Sequence, residues 1–268
     1  MLLVNRDKGL YMLGKALQVL PLICFLSIAN PPSSGHQVQD TPHNARQAGI
    51  SHAPAPQLNP NQVLAKLLKG NERFVDGFSV YPHHDQATRT KTATEGQKPI
   101  VSILSCSDSR VPLEAIFDMG VGDLFVIRVA GNIADPSEIG SLEYGAGHLG
   151  TPLIMVLGHT KCGAVTAVVN GDKVGGNILS LIDNIQPAVQ SAKTNFKNST
   201  PDEILYQAIK ANVWKSIEDI LTRSSEIRKL VKEGRVKVVG GMYDIESGKV
   251  TSLGVHNRQE QILRVVGR

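Results

Sequence analysis

Aromatic side chains make up only 4% of this 268-residue chain, too few to build the stacking platforms that single-stranded nucleic acid needs. Lys and Arg outnumber Asp and Glu by a net charge of only +4, with no dense basic run, so no nucleic-acid partner is expected. Cysteine is scarce as well: Cys24, Cys106 and Cys162 are the only three. That number excludes a disulfide-rich scaffold. A single Cys106–Cys162 disulfide remains open, but it would leave the polar residues beside both cysteines without a purpose. The N-terminal apolar stretch Ala16–Ala29 (ALQVLPLICFLSIA) has 14 residues, short of the roughly 20 a helix needs to cross a bilayer.

The chain does have apolar material in bulk. Hydrophobic residues reach 41% against 19% charged, enough to bury a sizeable core. Arg6, Lys8 and Lys15 precede the apolar stretch, and Ser27 and Ala29 supply the small residues of a cleavage point, so residues 1–29 read as a signal peptide. Export to the periplasm or another lumenal compartment follows, with no membrane span in the mature chain; an uncleaved anchor is the alternative. Residues 30–57, rich in Pro, Ser, Gly, Ala and Gln and without apolar period, read as a flexible linker. The folded domain is expected over 58–268.

Asn59 and Pro60 suit the cap and first turn of a helix whose Leu64, Leu67, Leu68, Phe74 and Val75 recur at helical spacing. Mostly polar residues then fill 81–98. Apolar runs at 100–105, 124–129, 153–158 and 235–242 read as buried strands, the last turning through 243–249 into a short antiparallel edge. Helices are expected over 136–149 and, behind the capping box Thr200-Pro201-Asp202-Glu203, to about residue 223. The alternation gives an α/β class with a central, mostly parallel sheet flanked by helices.

Two motifs follow apolar runs. Cys106-Ser107-Asp108-Ser109-Arg110 ends the first, and His159-Thr160-Lys161-Cys162 ends the third. Sites in open α/β sheets lie beyond the carboxyl ends of strands, so both motifs end where a site belongs. If the chain stays extended, residues 106, 108 and 110 project to one side. Two thiolates, an imidazole and a carboxylate are ligands zinc favours. Cys106, His159 and Cys162 leave tetrahedral zinc one corner short; either Asp108 takes it or water does. Arg110 competes for Asp108 through a charge-assisted pair. A zinc that keeps an open corner brings the pKa of bound water to about 7.

These motifs, with Gly122-Asp123-Leu124-Phe125, Ala130-Gly131-Asn132, Ser141-Leu142-Glu143-Tyr144 and Gly158-His159-Thr160-Lys161-Cys162-Gly163-Ala164, resemble the β-class carbonic anhydrases from about Leu64 to Asp244. The resemblance implies reversible hydration of carbon dioxide to bicarbonate and one zinc per subunit on Cys106, His159 and Cys162. Asp108 would orient the attacking hydroxide or occupy its place, and Arg110 would hold Asp108. It further implies that Gln97, Phe125, Tyr144 and the Gly163 amide contact substrate. The assembly would be a homodimer or homotetramer, with the N-terminal helix packing on a partner subunit. The bicarbonate-regulated subgroup carries Trp and Gly where this chain has Ile103 and Ser105, although Arg128 and Tyr243 match that pocket; with Gln97 this favours the always-open subgroup. Val129 replaces the family's usual Asn. Hydrolysis of carbon disulfide or carbonyl sulfide, or non-catalytic bicarbonate sensing with Asp108 on the metal, would use the same residues.

Overall fold

The computed structural model describes residues 58–265; the expected signal peptide and linker lie outside the described residues. Helix α1 (Pro60–Val75) opens on Asn59, whose side chain accepts from the Asn61 and Gln62 amides at 3.0 Å. The Gln62 side chain accepts in turn from the Asn59 amide at 2.9 Å, completing a capping box. After α2 (Gln86–Glu95) comes β1 (Val101–Ser105), then α3 (Leu113–Ile116) and β2 (Leu124–Arg128). A single 3-10 turn at Ala130–Asn132 leads to α4 (Pro136–Glu143), which runs on as a π-helical turn at Tyr144–His148. Strand β3 (Leu153–His159) is followed by α5 (Gly163–Asn170), α6 (Ile178–Asn195), α7 (Pro201–Arg223) and α8 (Ser225–Lys232). Then come β4 (Lys237–Tyr243), β5 (Val250–Gly254) and α9 (Gln259–Val265).

The sheet order is β2-β1-β3-β4-β5. The first four strands run parallel and β5 closes one edge antiparallel to β4. Strands β1 and β3 are buried along their whole length, which is why they read as unbroken apolar runs rather than alternating ones. Alternate residues nonetheless serve different layers. Val101, Ile103, Leu153, Met155 and Leu157 face the layer formed by α1 and residues 111–119. Leu104, Ile154 and Val156 face the thicker layer of α4 to α7. The longest helix, α7, lies tight on β3: a side-chain carbon at Gly158 would come within 2.6 Å of Val213 Cγ2.

The strands predicted from apolar runs form within a residue or two of their expected bounds, and Thr200 caps α7 through the Glu203 amide. Helix α1 buries Val63 and Leu67 against its own chain. Val75, expected on the packed face, is exposed. Several helices escaped the reading. Polar α2 buries no residue and so leaves no apolar stripe to detect. Helix α6 contains Pro187, a residue that argues against a helix interior. Among the described residues no helix is long and apolar enough to cross a membrane.

Candidate metal centre

Cys106 is the first residue past β1 and His159 the last residue of β3. These strands are neighbours in parallel register, Ser105 beside Leu157, so two distant segments of sequence are delivered to one sheet end. Cys162 follows after the short turn holding Lys161 at φ +55 and serves as the residue before α5. Cys106 Sγ and Cys162 Sγ lie 4.0 Å apart, and the ligand atoms of Cys106, His159 and Cys162 all fall within 4.8 Å of one another. All three residues are buried.

The sulfur separation excludes a disulfide, whose S–S bond is about 2.05 Å; both cysteines are free. It does suit a shared metal. Two zinc–sulfur bonds of about 2.3 Å at the tetrahedral angle place their sulfurs about 3.8 Å apart. His159 gives a second indication. Its Nδ1 lies 2.9 Å from the Thr160 carbonyl, a contact that puts the ring proton on Nδ1 and frees the Nε2 lone pair. That Nε2 is buried with no partner, an arrangement that costs free energy unless something accepts the lone pair. A soft divalent cation fits this set of two sulfurs and one nitrogen.

The electrostatics around the sulfurs favour a negative charge there. The hydrogen bond with Cys162, together with the one from the Gly131 amide, pulls the Cys106 pKa well below the ordinary thiol range against the opposing cost of burial. Cys162 is pushed up by that same Cys106 bond and by burial. Its sulfur is met by the Ala164 and Val165 amides in the first turn of α5, where helix amides favour anions.

Asp108 and Arg110 do not lie along an extended strand. The chain turns over 108–111, with the Val111 amide donating to the Asp108 carbonyl at 3.0 Å. This turn brings three N–H groups of Arg110 onto one carboxylate. The backbone amide and Nε donate to Oδ1 at 3.0 and 2.9 Å, and a terminal nitrogen to Oδ2 at 2.7 Å. The guanidinium bonds hold the Asp108 carboxyl well below the usual carboxylate range. Asp108 Oδ2 still sits 3.9 Å from His159 Nε2, at the margin of the cluster. Arg110 also donates to the Lys161 carbonyl at 3.2 Å, tying the two ligand segments together.

The carbonic anhydrase family model matches residues 101–250, the stretch holding all of these groups. The chain belongs to the carbonic anhydrase family. It is 36% identical over 198 residues to carbonic anhydrase 2 of Mycobacterium tuberculosis, covering 72% of this chain and 93% of that one. A carbonic anhydrase of Mycolicibacterium smegmatis is 33% identical over 199 residues, covering 73% and 94%. Among solved structures, a tetrameric β-carbonic anhydrase of Sordaria macrospora superposes with a TM-score of 0.58 at 26% identity, covering 72% of this chain and 97% of that one. A β-carbonic anhydrase of Aspergillus fumigatus gives 0.61 at 25%, covering 75% and 95%. The family's β-class fold is the one described above.

In this carbonic anhydrase the remaining candidate residues lie elsewhere. Gln97 is exposed on the segment before β1, at the opposite end of that strand from Cys106. Phe125 pairs in register with Ser102, four residues and so about 13 Å short of Cys106. Its ring meets the half-exposed Tyr144 at 5.8 Å. One chain therefore does not gather these three at its own cluster. Gly163 opens α5 directly after Cys162, and no atom would crowd a side-chain carbon there. Two contacts were not anticipated. Arg128 donates from Nε to the Cys106 carbonyl at 3.0 Å and from Nη2 to the Asp108 carbonyl at 2.6 Å. The Gly131 amide donates to Cys106 Sγ at 3.3 Å. An arginine ending a strand, followed by Ala-Gly-Asn, was the available signal.

Proposed function

We propose that this protein catalyses the reversible hydration of carbon dioxide to bicarbonate and a proton, with zinc held by Cys106, His159 and Cys162. The observation that carries this reading is the buried, unpartnered His159 Nε2 beside two free sulfurs 4.0 Å apart, in a chain of this family. Bound there, zinc supplies Lewis acidity that brings the ionisation of water into the neutral range.

The protein's own groups do the rest. Arg110 occupies Asp108 with three hydrogen bonds and keeps the carboxylate ionised. A carboxylate so held only accepts, so its free lone pairs orient an O–H at the cluster's edge and favour one direction of attack. Carbon dioxide carries no net charge and is a weak acceptor, so an apolar wall suits it. Phe125 and Tyr144 supply such a wall, and Gln97 a donor. Because they lie away from the cluster of their own chain, we assign them to the cluster of a second copy in a homodimer or larger assembly; the Sordaria macrospora relatives are described as tetrameric. Gly163 is placed to donate its amide from the start of α5. The mostly apolar stretch Ala16–Ala29, interrupted only by Gln18, Pro21 and Ser27, supports export to an extracytoplasmic compartment.

Stopped-flow hydration with a pH dye tests the reading, on wild type and Asp108→Asn at matched zinc content. The wild type should consume carbon dioxide rapidly, and the variant about 100-fold more slowly, in the range for loss of a proton-directing group. A zinc-loaded wild type no faster than buffer would refute it.

A further inference from the structure

The contact between the Gly131 amide and Cys106 Sγ is set from outside the site. Helix α7 presents three side chains, spread over three turns of one face, to the loop that carries Gly131 and the residues after it. Asn212 Nδ2 donates to the Gly131 carbonyl at 2.6 Å, and Ser216 Oγ to the Asn132 carbonyl at 2.9 Å. Arg223 reaches the Ala134 carbonyl at 2.9 Å. Asn212 and Ser216 are each 1% exposed.

The loop needs holding, because Gly131 and Asn132 both adopt positive φ, +74 and +46. For asparagine that backbone is tolerated rather than preferred. The loop also has no slack: a side-chain carbon on Gly131 would fall 2.7 Å from Ile185 Cδ1. Asn212 is a poor choice for packing alone. Its Oδ1 is buried without a partner, a cost an apolar residue of the same size would avoid. What the amide gains in return is one short bond, to the peptide that follows Gly131, which holds the far side of the Gly131 Cα and so limits how the preceding peptide, with the Gly131 N–H, can turn.

We infer that Asn212 is a positioning residue for the metal centre: through the Gly131 carbonyl it aims the Gly131 N–H at Cys106 Sγ and so moderates how strongly that sulfur donates to a bound metal. This rests on the zinc reading given above. An N–H directed at a ligand sulfur draws charge from it, and outer contacts of this kind typically change metal affinity 10–100-fold.

The test uses the full chain loaded with cobalt(II) in place of zinc, reading the thiolate-to-cobalt charge-transfer absorption in the near ultraviolet. In Asn212→Leu the band should move to lower energy, because the less hydrogen-bonded sulfur gives up its electrons more easily. Zinc affinity, measured by chelator competition, should shift about tenfold. Asn212→Ser, too short to reach the Gly131 carbonyl, should do the same and serves if the leucine variant does not fold. Ile217→Val, a fully buried position on the same helix, supplies matched destabilisation and should leave the band in place. An unmoved band in both Asn212 variants would overturn the inference, as would an equal movement in Ile217→Val. A wild type that binds cobalt with no thiolate band would instead overturn the zinc reading itself.

Discussion

Replacing Cys106 with serine separates what the sulfur does for the metal from what it does for the fold. Zinc sites with four protein ligands bind with about 10–16 kcal/mol at neutral pH. Divided evenly, each ligand contributes about 2.5–4 kcal/mol, so losing one should raise the zinc dissociation constant by about 60- to 1,000-fold. A serine hydroxyl is a poor substitute, being neutral at pH 7 and harder than a thiolate. The metal-free fold should notice the change much less. Cys106 is 5% exposed and makes two hydrogen bonds, with Cys162 Sγ at 4.0 Å and from the Gly131 amide at 3.3 Å, both of which a hydroxyl can still make. A cost of about 1 kcal/mol is the usual scale for such an exchange. At equal free zinc the loaded variant should therefore lose about 3 kcal/mol beyond the loss of the stripped one. In a domain of this size that is an extra fall in Tm of about 6–12 °C. Thermal melts of wild type and Cys106→Ser, each with and without zinc, measure the difference directly, and chelator competition gives the affinity. Equal falls in Tm in the loaded and stripped forms, with unchanged zinc affinity, would refute the assignment of this sulfur to a metal.

Two further outcomes are expected. Asp118 has no exposed side-chain surface and accepts from Arg73 and from the Val80 and Tyr81 amides; burial raises its pKa, but these bonds outweigh that and leave the carboxyl below the ordinary range. The stabilisation is then complete above the unfolded carboxylate value of about 3.9 and drains away as pH falls through the lower folded value. Asp118→Asn should cost about 2 kcal/mol at pH 7 in urea denaturation, with the gap to wild type narrowing as pH falls below about 3.9; a gap that stays constant would contradict this. Stripping zinc should also expose the thiol pair to oxidation, since only a closure from 4.0 Å to about 2.05 Å separates them from a disulfide. Mass spectrometry after mild oxidant should find the Cys106–Cys162 bond in stripped protein and intact thiols in loaded protein, and equal oxidation of both would count against metal protection.

The sequence displayed the sheet clearly because its central strands are buried on both faces, leaving Ile103, Leu104, Met155 and Val156 as neighbours in continuous apolar runs. Helices with a capping signal, α1 and α7, were equally visible. Those without an apolar stripe, such as α2, or with an internal proline, such as α6, were not. At the candidate site the residue types and their placement beyond strands could be read in advance, and the structure draws Cys106, His159 and Cys162 together. The turn that curls Arg110 back onto Asp108 was invisible, because an alternating Cys-x-Asp-x-Arg pattern suits an extended chain equally well. The bonds from Arg128 and Asn212 end on backbone carbonyls, and no residue pattern records which carbonyl a side chain will find.

The π-helical turn at Tyr144–His148 carries its own consequence. The Leu149 amide reaches back five residues to the Tyr144 carbonyl at 3.0 Å, so this coil holds one residue more than a regular α-helical turn would. Each residue of an α-helix advances the chain by about 100°, and deleting a single position here would swing the following segment by roughly that angle relative to the Tyr144 ring. Length, as much as composition, is thus under constraint at this point: a one-residue gap that a surface loop would absorb would here re-aim an aromatic side chain.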